Sequence, residues 1–346
     1  MTARSLQRTY HIDGDVFERA YKNHLSGFRQ WKDISHATDW LVFPRNIGAS
    51  LSIDETSLSD GELYTIVSNK EAHGGKGSIV AIVKGTRVPD VVEALKRIMW
   101  SLRAKVTEVT MDLSESMRSI VWQCFPNAMV TLDRFHVQKD CYDALQAIRV
   151  RHRREARLQD IEDREQHLYR RKHNASRRKQ GKKDPRGRKP QRANVRYEPP
   201  RLANGDTLCE LLARSRYLLP LSADKWTESQ KHRAKLLFEL YPDIKQAYGI
   251  CHSLRCLFND KNLTKQTAQK RLEQWYNKVT DFDDPNFNTV SATIYQRQDE
   301  VLNYFVNRQT NASAESLNAK IKHFRAQLHG VVDVKFFLYR LSLIYA

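Results

Sequence analysis

Three carboxylates have the type and setting to do metal-dependent chemistry. Asp54 sits in Leu51-Ser52-Ile53-Asp54-Glu55, Asp112 follows Val106-Thr107-Glu108-Val109-Thr110-Met111, and Glu315 lies in Thr310-Asn311-Ala312-Ser313-Ala314-Glu315-Ser316-Leu317-Asn318. Cutting a phosphodiester requires an activated attacking oxygen and a stabilised leaving oxygen, and two divalent ions about 4 Å apart supply both. Such ions are hard and take carboxylate oxygens, so the expected cofactor is a pair of Mg2+ or Mn2+ ions held by Asp54, Asp112 and Glu315. Taken singly, each residue has an ordinary reading. An Asp at a strand end is commonly a turn or cap residue, and a Glu in the first turn of a helix is favoured by the helix dipole. The arrangement of all three is more specific than any one of them.

The elements that must position them are legible around residues 48–145. A strand runs through Leu51, Ile53 and Asp54, and Glu62–Ser68 and Ser78–Lys84 alternate β-branched residues as strands do. Val88–Arg103 reads as an amphipathic helix with Val91, Val92, Leu95, Ile98 and Met99 on one side. Val106–Met111 is a fourth strand and Ala128–Leu132 a fifth. Between them lies a helix over Ser114–Cys124, with Ser114 as its N-cap and Pro126 as its stop. A further helix begins near Phe135. The order βββαβαβα predicts an α/β fold with a mixed five-stranded sheet flanked by helices. Alternation puts Ser50, Ser52 and Asp54 on one side of their strand and Glu108, Thr110 and Asp112 on one side of theirs. The last long helix, from Asn311 to about Leu328, stacks Leu317, Ile321, Phe324 and Leu328 on its core face. Asn311, Glu315, Asn318 and Lys322 form a polar stripe opposite.

Charge narrows the substrate. The 346 residues carry a net charge of +18, a field that draws polyanions. No apolar run approaches the roughly 18–20 residues that span a bilayer, and the first residues have no apolar signal core, so a cytoplasmic protein without a membrane partner is expected. Five scattered cysteines do not make a disulfide framework. Cys251-His252 with Cys256 has a trace of zinc-ligand spacing, but no second pair accompanies it; the ordinary reading is buried thiols.

The remaining chain divides by composition. Residues 1–47 read as a helical accessory segment followed by loop, with Phe17, Tyr21, Leu25 and Phe28 at helical spacing. Residues 149–201 hold 20 Lys and Arg against 7 Asp and Glu. Their first half continues the preceding helix, whereas Gln180–Pro190 cannot bury a core and reads as loop or disorder. Residues 202–308 return to helical patterning, so 150–308 is expected to form a large, mainly α-helical insertion before the helix of Glu315. Residues 309–346 complete the catalytic core begun at 48–148.

At these residues the chain resembles the DDE transposases of bacterial insertion sequences, of the ISL-three family. Ser52-Ile53-Asp54-Glu55 is similar to the family's first-Asp motif. Thr110-Met111-Asp112, Phe125-Pro126-Asn127-Ala128 and Leu132-Asp133-Arg134-Phe135-His136-Val137 are similar to its central block, and Asn311 to Lys322 to its Glu motif. The resemblance covers 48–148 and 309–345. It implies a ribonuclease H-like catalytic domain that hydrolyses phosphodiesters at transposon ends and transfers the freed 3′-hydroxyl into target DNA, with a homo-oligomer assembled on the DNA. It also implies a bacterial, nucleoid-associated setting. Members of the family usually carry an N-terminal zinc-binding and helix-turn-helix region. Residues 1–47 contain no cysteine, so a separate end-recognition protein, or a different mode of recognition, is expected.

Asp133 is a fourth carboxylate that could replace Asp112 as a ligand; Asp112 is preferred because it follows the fourth strand. His136 could orient a metal-site carboxylate or a DNA phosphate, or simply pack at a helix start. Glu55 and Asp60 read as solvent or turn residues. DNA phosphates are expected to meet Arg177, Arg178, Lys179, Lys182, Lys183, Arg186, Arg188 and Lys189, and also Lys320 and Lys322. Pro185–Pro190 faintly resembles an AT-hook. Trp226 and Trp275 could stack on an unpaired base but fit the core of the helical segment better. Two other readings stay open: another nuclease of the same fold, such as a resolvase, and a non-catalytic nucleic-acid-binding protein.

Overall fold

The computed structural model describes residues 3–59, 61–180, 197–328 and 330–346. The chain divides into two compact units. One comprises Met1–Val137, Asn262–Gln269 and Ile294–Ala346; the other comprises Gln138–Lys261 and Lys270–Thr293.

The first unit is built on a mixed sheet of β1 (Trp40–Val42), β2 (Ser50–Ser59), β3 (Glu62–Asn69), β4 (Ile79–Lys84), β5 (Glu108–Met111) and β6 (Met129–Leu132), in the order β1-β4-β3-β2-β5-β6. β2, β3 and β4 are sequential antiparallel neighbours, while β5 and β6 run parallel to β2. This is consistent with the ribonuclease H-like expectation, with one strand more than the five predicted. The addition is Trp40–Val42, expected as loop. Three residues are too few to show a period, but they close the open edge of β4, with Leu41 fully buried.

The helices follow in chain order: α1 (Ala3–Tyr10), α2 (Gly14–Ala20), α3 (Val88–Lys96), α4 (Trp100–Arg103), α5 (Glu115–Cys124) and α6 (Arg134–Gln180). Then come α7 (Leu208–Arg214), α8 (Glu228–Leu240), α9 (Pro242–Asn259), α10 (Lys265–Phe282), α11 (Pro285–Gln296), α12 (Gln298–Leu302), α13 (Tyr304–Asn307), α14 (Ala312–Gln327) and α15 (Val334–Tyr345). Ser114 caps α5 through its hydroxyl, as its sequence position predicts. The single helix expected over Val88–Arg103 is instead two. The break after Lys96 turns Met99 out to 66% exposure, and the buried Arg103 guanidinium bonds the carbonyls of Ile98 and Cys124 across the gap.

The two faces of the sheet differ chemically. Leu51, Ile53, Val109, Met111, Val130 and Leu132 are all buried, and alternation places them on the face opposite Asp54. On the Asp54 face, Tyr64, Ile66, Ile79 and Ile82 pack with Leu317 and Ile321 of α14 and Phe337, Leu338 and Leu341 of α15. Burying these side chains is worth roughly 1.5–3 kcal/mol each, and it fixes α14 against the sheet. The N-terminal segment packs on α15 through Phe28 against Phe336 (centroids 5.1 Å apart) and Trp31 against Tyr339 (5.2 Å). Toward β5 and β6 the same sheet face turns polar, with Ser52, Glu108, Thr110, Thr131 and Asp133 buried.

The second unit is helical among its described residues, around a core that includes Leu211, Leu237, Leu254, Trp275 and Phe287. Trp275 is buried with its indole N–H on the Ile250 carbonyl, and Trp226 packs against Phe238 and Tyr248. Trp275 is a core residue, whereas Trp226 is half-buried at the edge of that aromatic cluster.

Candidate active site

Strand register brings the first two carboxylates together. Ser52 pairs with Thr110 across the parallel β2–β5 ladder, and Thr110 pairs with Thr131 across β5–β6. Two residues further along, on the same face, come Asp54, Asp112 and Asp133. Neighbouring strands lie about 4.8 Å apart, so three aspartates stand in a row where the parallel ladder ends. Asp54 is not at a strand end as expected: β2 continues to Ser59 beside β3 alone. It therefore keeps rigid backbone on both sides, whereas Asp112 follows the last residue of β5.

Glu315 reaches the same place from α14. A cavity of about 500 Å3 is lined by Asp54, Asp112, His136, Glu315, Asn318 and Lys322, among others. One helical turn beyond Glu315, Asn318 donates its side-chain N–H to Asp54 Oδ2 at 2.5 Å, and the Glu55 N–H donates to Asp54 Oδ1 at 2.8 Å. One helix thus both delivers the third carboxylate and orients the first.

Asp112 and Asp133 are joined by His136. Its Nδ1 lies 2.8 Å from Asp112 Oδ1 and 3.0 Å from Asp133 Oδ2. Asp133 is fully buried, and its Oδ1 accepts the Asn311 N–H at 3.4 Å. Both Asp133 oxygens are therefore engaged, and the residue stands behind Asp112. Asp112, Asp133 and His136 each offer a ligand atom within 4.8 Å of the others, a grouping that does not include Asp54 or Glu315.

The electrostatics follow from crowding. Asp54, Glu55, Asp112 and Glu315 face the cavity with one lysine, Lys322, and one imidazole, His136. Burial pushes the Asp54 carboxyl up to about 6; Asp112 and Glu315 add to the rise, while the Glu55 N–H and His136 oppose it. Glu315 and Glu55 are also raised, first by loss of solvent, with neighbouring carboxylates adding to it. His136 is pushed up to about 10 by its hydrogen bonds to Asp112 and Asp133, so its imidazolium is the charged form at neutral pH. A surplus of hard oxygen donors whose mutual repulsion is only partly neutralised fits a divalent cation of the Mg2+ or Mn2+ type.

The other expected site residues fall as follows. Lys322 lines the cavity, whereas Lys320 donates to the Gly74 carbonyl at 2.7 Å. Arg177, Arg178 and Lys179 lie in the last turn of α6, where the backbone alone is described. Lys182, Lys183, Arg186, Arg188, Lys189 and Asp60 lie outside the described residues. Glu55, expected to face solvent, borders the cavity. Cys251 is buried beside Cys141, with 3.2 Å between their sulfurs, and Cys256 contacts His252. No metal-like grouping forms around them among the described residues.

Sequence reasoning missed the polar layer beneath the site. Lys70 donates to Thr110 Oγ1 at 2.7 Å, and Glu108 accepts from Thr131 at 3.0 Å and from Asn307 at 3.1 Å. Burial pushes the Lys70 ammonium down to about 8, against the pull of Glu108 and Asp133. The available signal was Glu108 itself, a charged residue inside an otherwise strand-like run on the face of Asp112.

The α/β unit thus gathers Asp54 from a strand, Asp112 from just past a strand end and Glu315 from a helix around one cavity. A family model described as transposase, that of the ISL-three DDE group, matches residues 51–341, and the chain belongs to that family. No curated protein and no solved structure matches it. Among the described residues no helix is long and apolar enough to cross a membrane.

Proposed function

We propose that the protein cleaves the phosphodiester at each transposon end by hydrolysis and then joins the freed 3′-hydroxyl to target DNA in the same cavity. The observation that carries this reading is the convergence of Asp54, Asp112 and Glu315 on one cavity from positions far apart in sequence. Those three would hold Mg2+ or Mn2+, two ions, which when bound activate the attacking oxygen and stabilise the leaving one. The chain's own residues do the rest. Asn318 fixes the orientation of Asp54, and His136, braced by buried Asp133, fixes that of Asp112. Lys322 at the cavity wall meets a DNA phosphate.

We read the helical stretch expected at 150–308 as an insertion between the second Asp and the Glu, with Asn262–Gln269 and the residues from Ile294 onward belonging instead to the unit that carries the carboxylates. The basic residues of 149–201 hold the DNA backbone, including Arg177, Arg178, Lys179, Lys182, Lys183, Arg186, Arg188 and Lys189. Two ends must be brought together, so the active form is an oligomer on DNA.

The test is Asp54→Asn on a transposon-end duplex. Mg2+-dependent cleavage is expected to vanish while DNA affinity persists, and retained cleavage would overturn the assignment. A pre-cut end separates this reading from a resolvase-like nuclease: the transposase joins it to a second duplex, whereas a nuclease leaves it unjoined.

A further inference from the structure

Asparagines recur every fourth residue at 303, 307 and 311, and Glu315 is next in the series. They do not share one helix: α12 ends at Leu302, α13 covers Tyr304–Asn307, and Arg308 adopts φ 55° before α14 begins. Each nevertheless grips the sheet. Asn303 donates to the Val130 carbonyl of edge strand β6 at 2.7 Å, Asn307 donates to Glu108 Oε2 at 3.1 Å, and the Asn311 N–H donates to Asp133 Oδ1 at 3.4 Å. The middle contact is the costly one. Glu108 is only 4% exposed, and a buried carboxylate is unfavourable unless its oxygens are bonded. Its other oxygen accepts from Thr131 Oγ1 at 3.0 Å. Its charge is also drawn to the buried Lys70 ammonium, and the two hydrogen bonds fix which way its oxygens point. Glu108 lies two residues before Thr110 and four before Asp112, all on one strand face.

We propose that the Asn307–Glu108 hydrogen bond is a positioning device that sets where α14 begins, and so where Glu315 stands relative to Asp54 and Asp112. This rests on the proposed function, because the position of Glu315 matters only if it shares ions with the two aspartates. Asn307 touches neither the cavity nor its carboxylates. It acts on the segment of eight residues that leads to Glu315, pinned again midway where Asn311 meets Asp133.

The test measures Mn2+ affinity by titration, together with Mg2+-dependent cleavage and DNA affinity, on the full chain. Asn307→Asp sets a second carboxylate against Glu108. It is expected to weaken Mn2+ binding and cleavage by up to about 10-fold, the low end of the loss seen when a direct partner of a metal ligand is removed, with DNA affinity unchanged. Asn307→Ala removes the donor without adding charge and loses less in the same assays. In the double variant N307D/E108Q the amide donates and the new carboxylate accepts, which restores the bond with its polarity reversed and recovers Mn2+ binding. Variants that bind Mn2+ and cleave like the wild type would overturn the inference while leaving the proposed function intact, as would a folded double variant that fails to recover. A wild-type protein that neither binds Mn2+ nor cleaves would overturn both.

Discussion

Asp54 shows what gathering carboxylates costs the fold. Its carboxyl is held at about 6, by burial first and then by Asp112, against 3.8 for the free side chain. The folded protein therefore keeps the Asp54 proton over a range in which the unfolded chain has lost it. Stability from this group is fully present below pH 3.8 and is lost as pH rises through about 6. Without divalent metal, Asp54→Asn should stabilise the protein at pH 7 by on the order of 1–2 kcal/mol, discounted for partial exposure. Thermal or urea melts at pH 4 and pH 7 check this, because the difference between variant and wild type should shrink toward pH 4. Residue types and their alternation made Asp54 and Asp112 legible in the sequence, and the clamp on them was not. Asn318 and Asp133 acquire their roles only when α14 and β6 are brought to the same end of the sheet, and no local pattern encodes that approach.

At the scale of elements, the helix bearing Glu315 is held by an apolar face and by a glycine. Leu317 and Ile321 seat α14 on Tyr64, Ile66 and Ile82. The turn between β3 and β4 then closes over it: the Gly74 carbonyl accepts from Lys320, and Ser313 Oγ donates to the Lys70 carbonyl at 3.5 Å. Gly74 has φ +72°, and a Cβ there would stand 3.2 Å from Lys320 Nζ, 3.5 Å from Ser316 Oγ and 3.6 Å from the Leu317 nitrogen. Gly74→Val should destabilise the fold by about 1–2 kcal/mol through the left-handed backbone alone. It should also push α14 outward, lowering the cleavage rate more than it lowers DNA affinity; urea melts and single-turnover cleavage measure the two effects. A cleavage rate unchanged in Gly74→Val would mean that this turn does not hold the helix. The helical period of α14 was plain in the sequence, as were β2 to β6. β1 was not, because three residues carry no period and its place is set by the exposed edge of β4. α6 runs to Gln180, in line with the expectation that the first half of the basic stretch continues the preceding helix.

At the scale of the whole molecule, the basic stretch and the acidic cavity are separated along the chain. The acidic cavity belongs to the unit containing β2 and α14, whereas residues 149–201 carry 20 of the 58 Lys and Arg. Polyanion binding through that stretch releases counterions, so affinity for duplex DNA should fall steeply and linearly on a log–log plot against salt. Replacing Lys182, Lys183, Arg186, Arg188 and Lys189 by Ala should reduce that slope by about 4 to 5, at about 0.9 per phosphate contact. Fluorescence anisotropy at several salt concentrations reads the slope, and an unchanged value would remove these residues from the interface. The family match across residues 51–341 fixes the class of enzyme. How its ends are recognised depends on chemistry outside the carboxylate cavity.

The central claim is that Asp54, Asp112 and Glu315 act as one ion-binding site. Calorimetric titration of Mn2+ into the wild type, Asp54→Asn, Asp112→Asn and Glu315→Gln tests it most directly. The account predicts tight binding by the wild type and a large loss of affinity in all three variants. Glu315→Gln binding Mn2+ as the wild type does would contradict it, because the helix-borne carboxylate would then stand apart from the two on the strands.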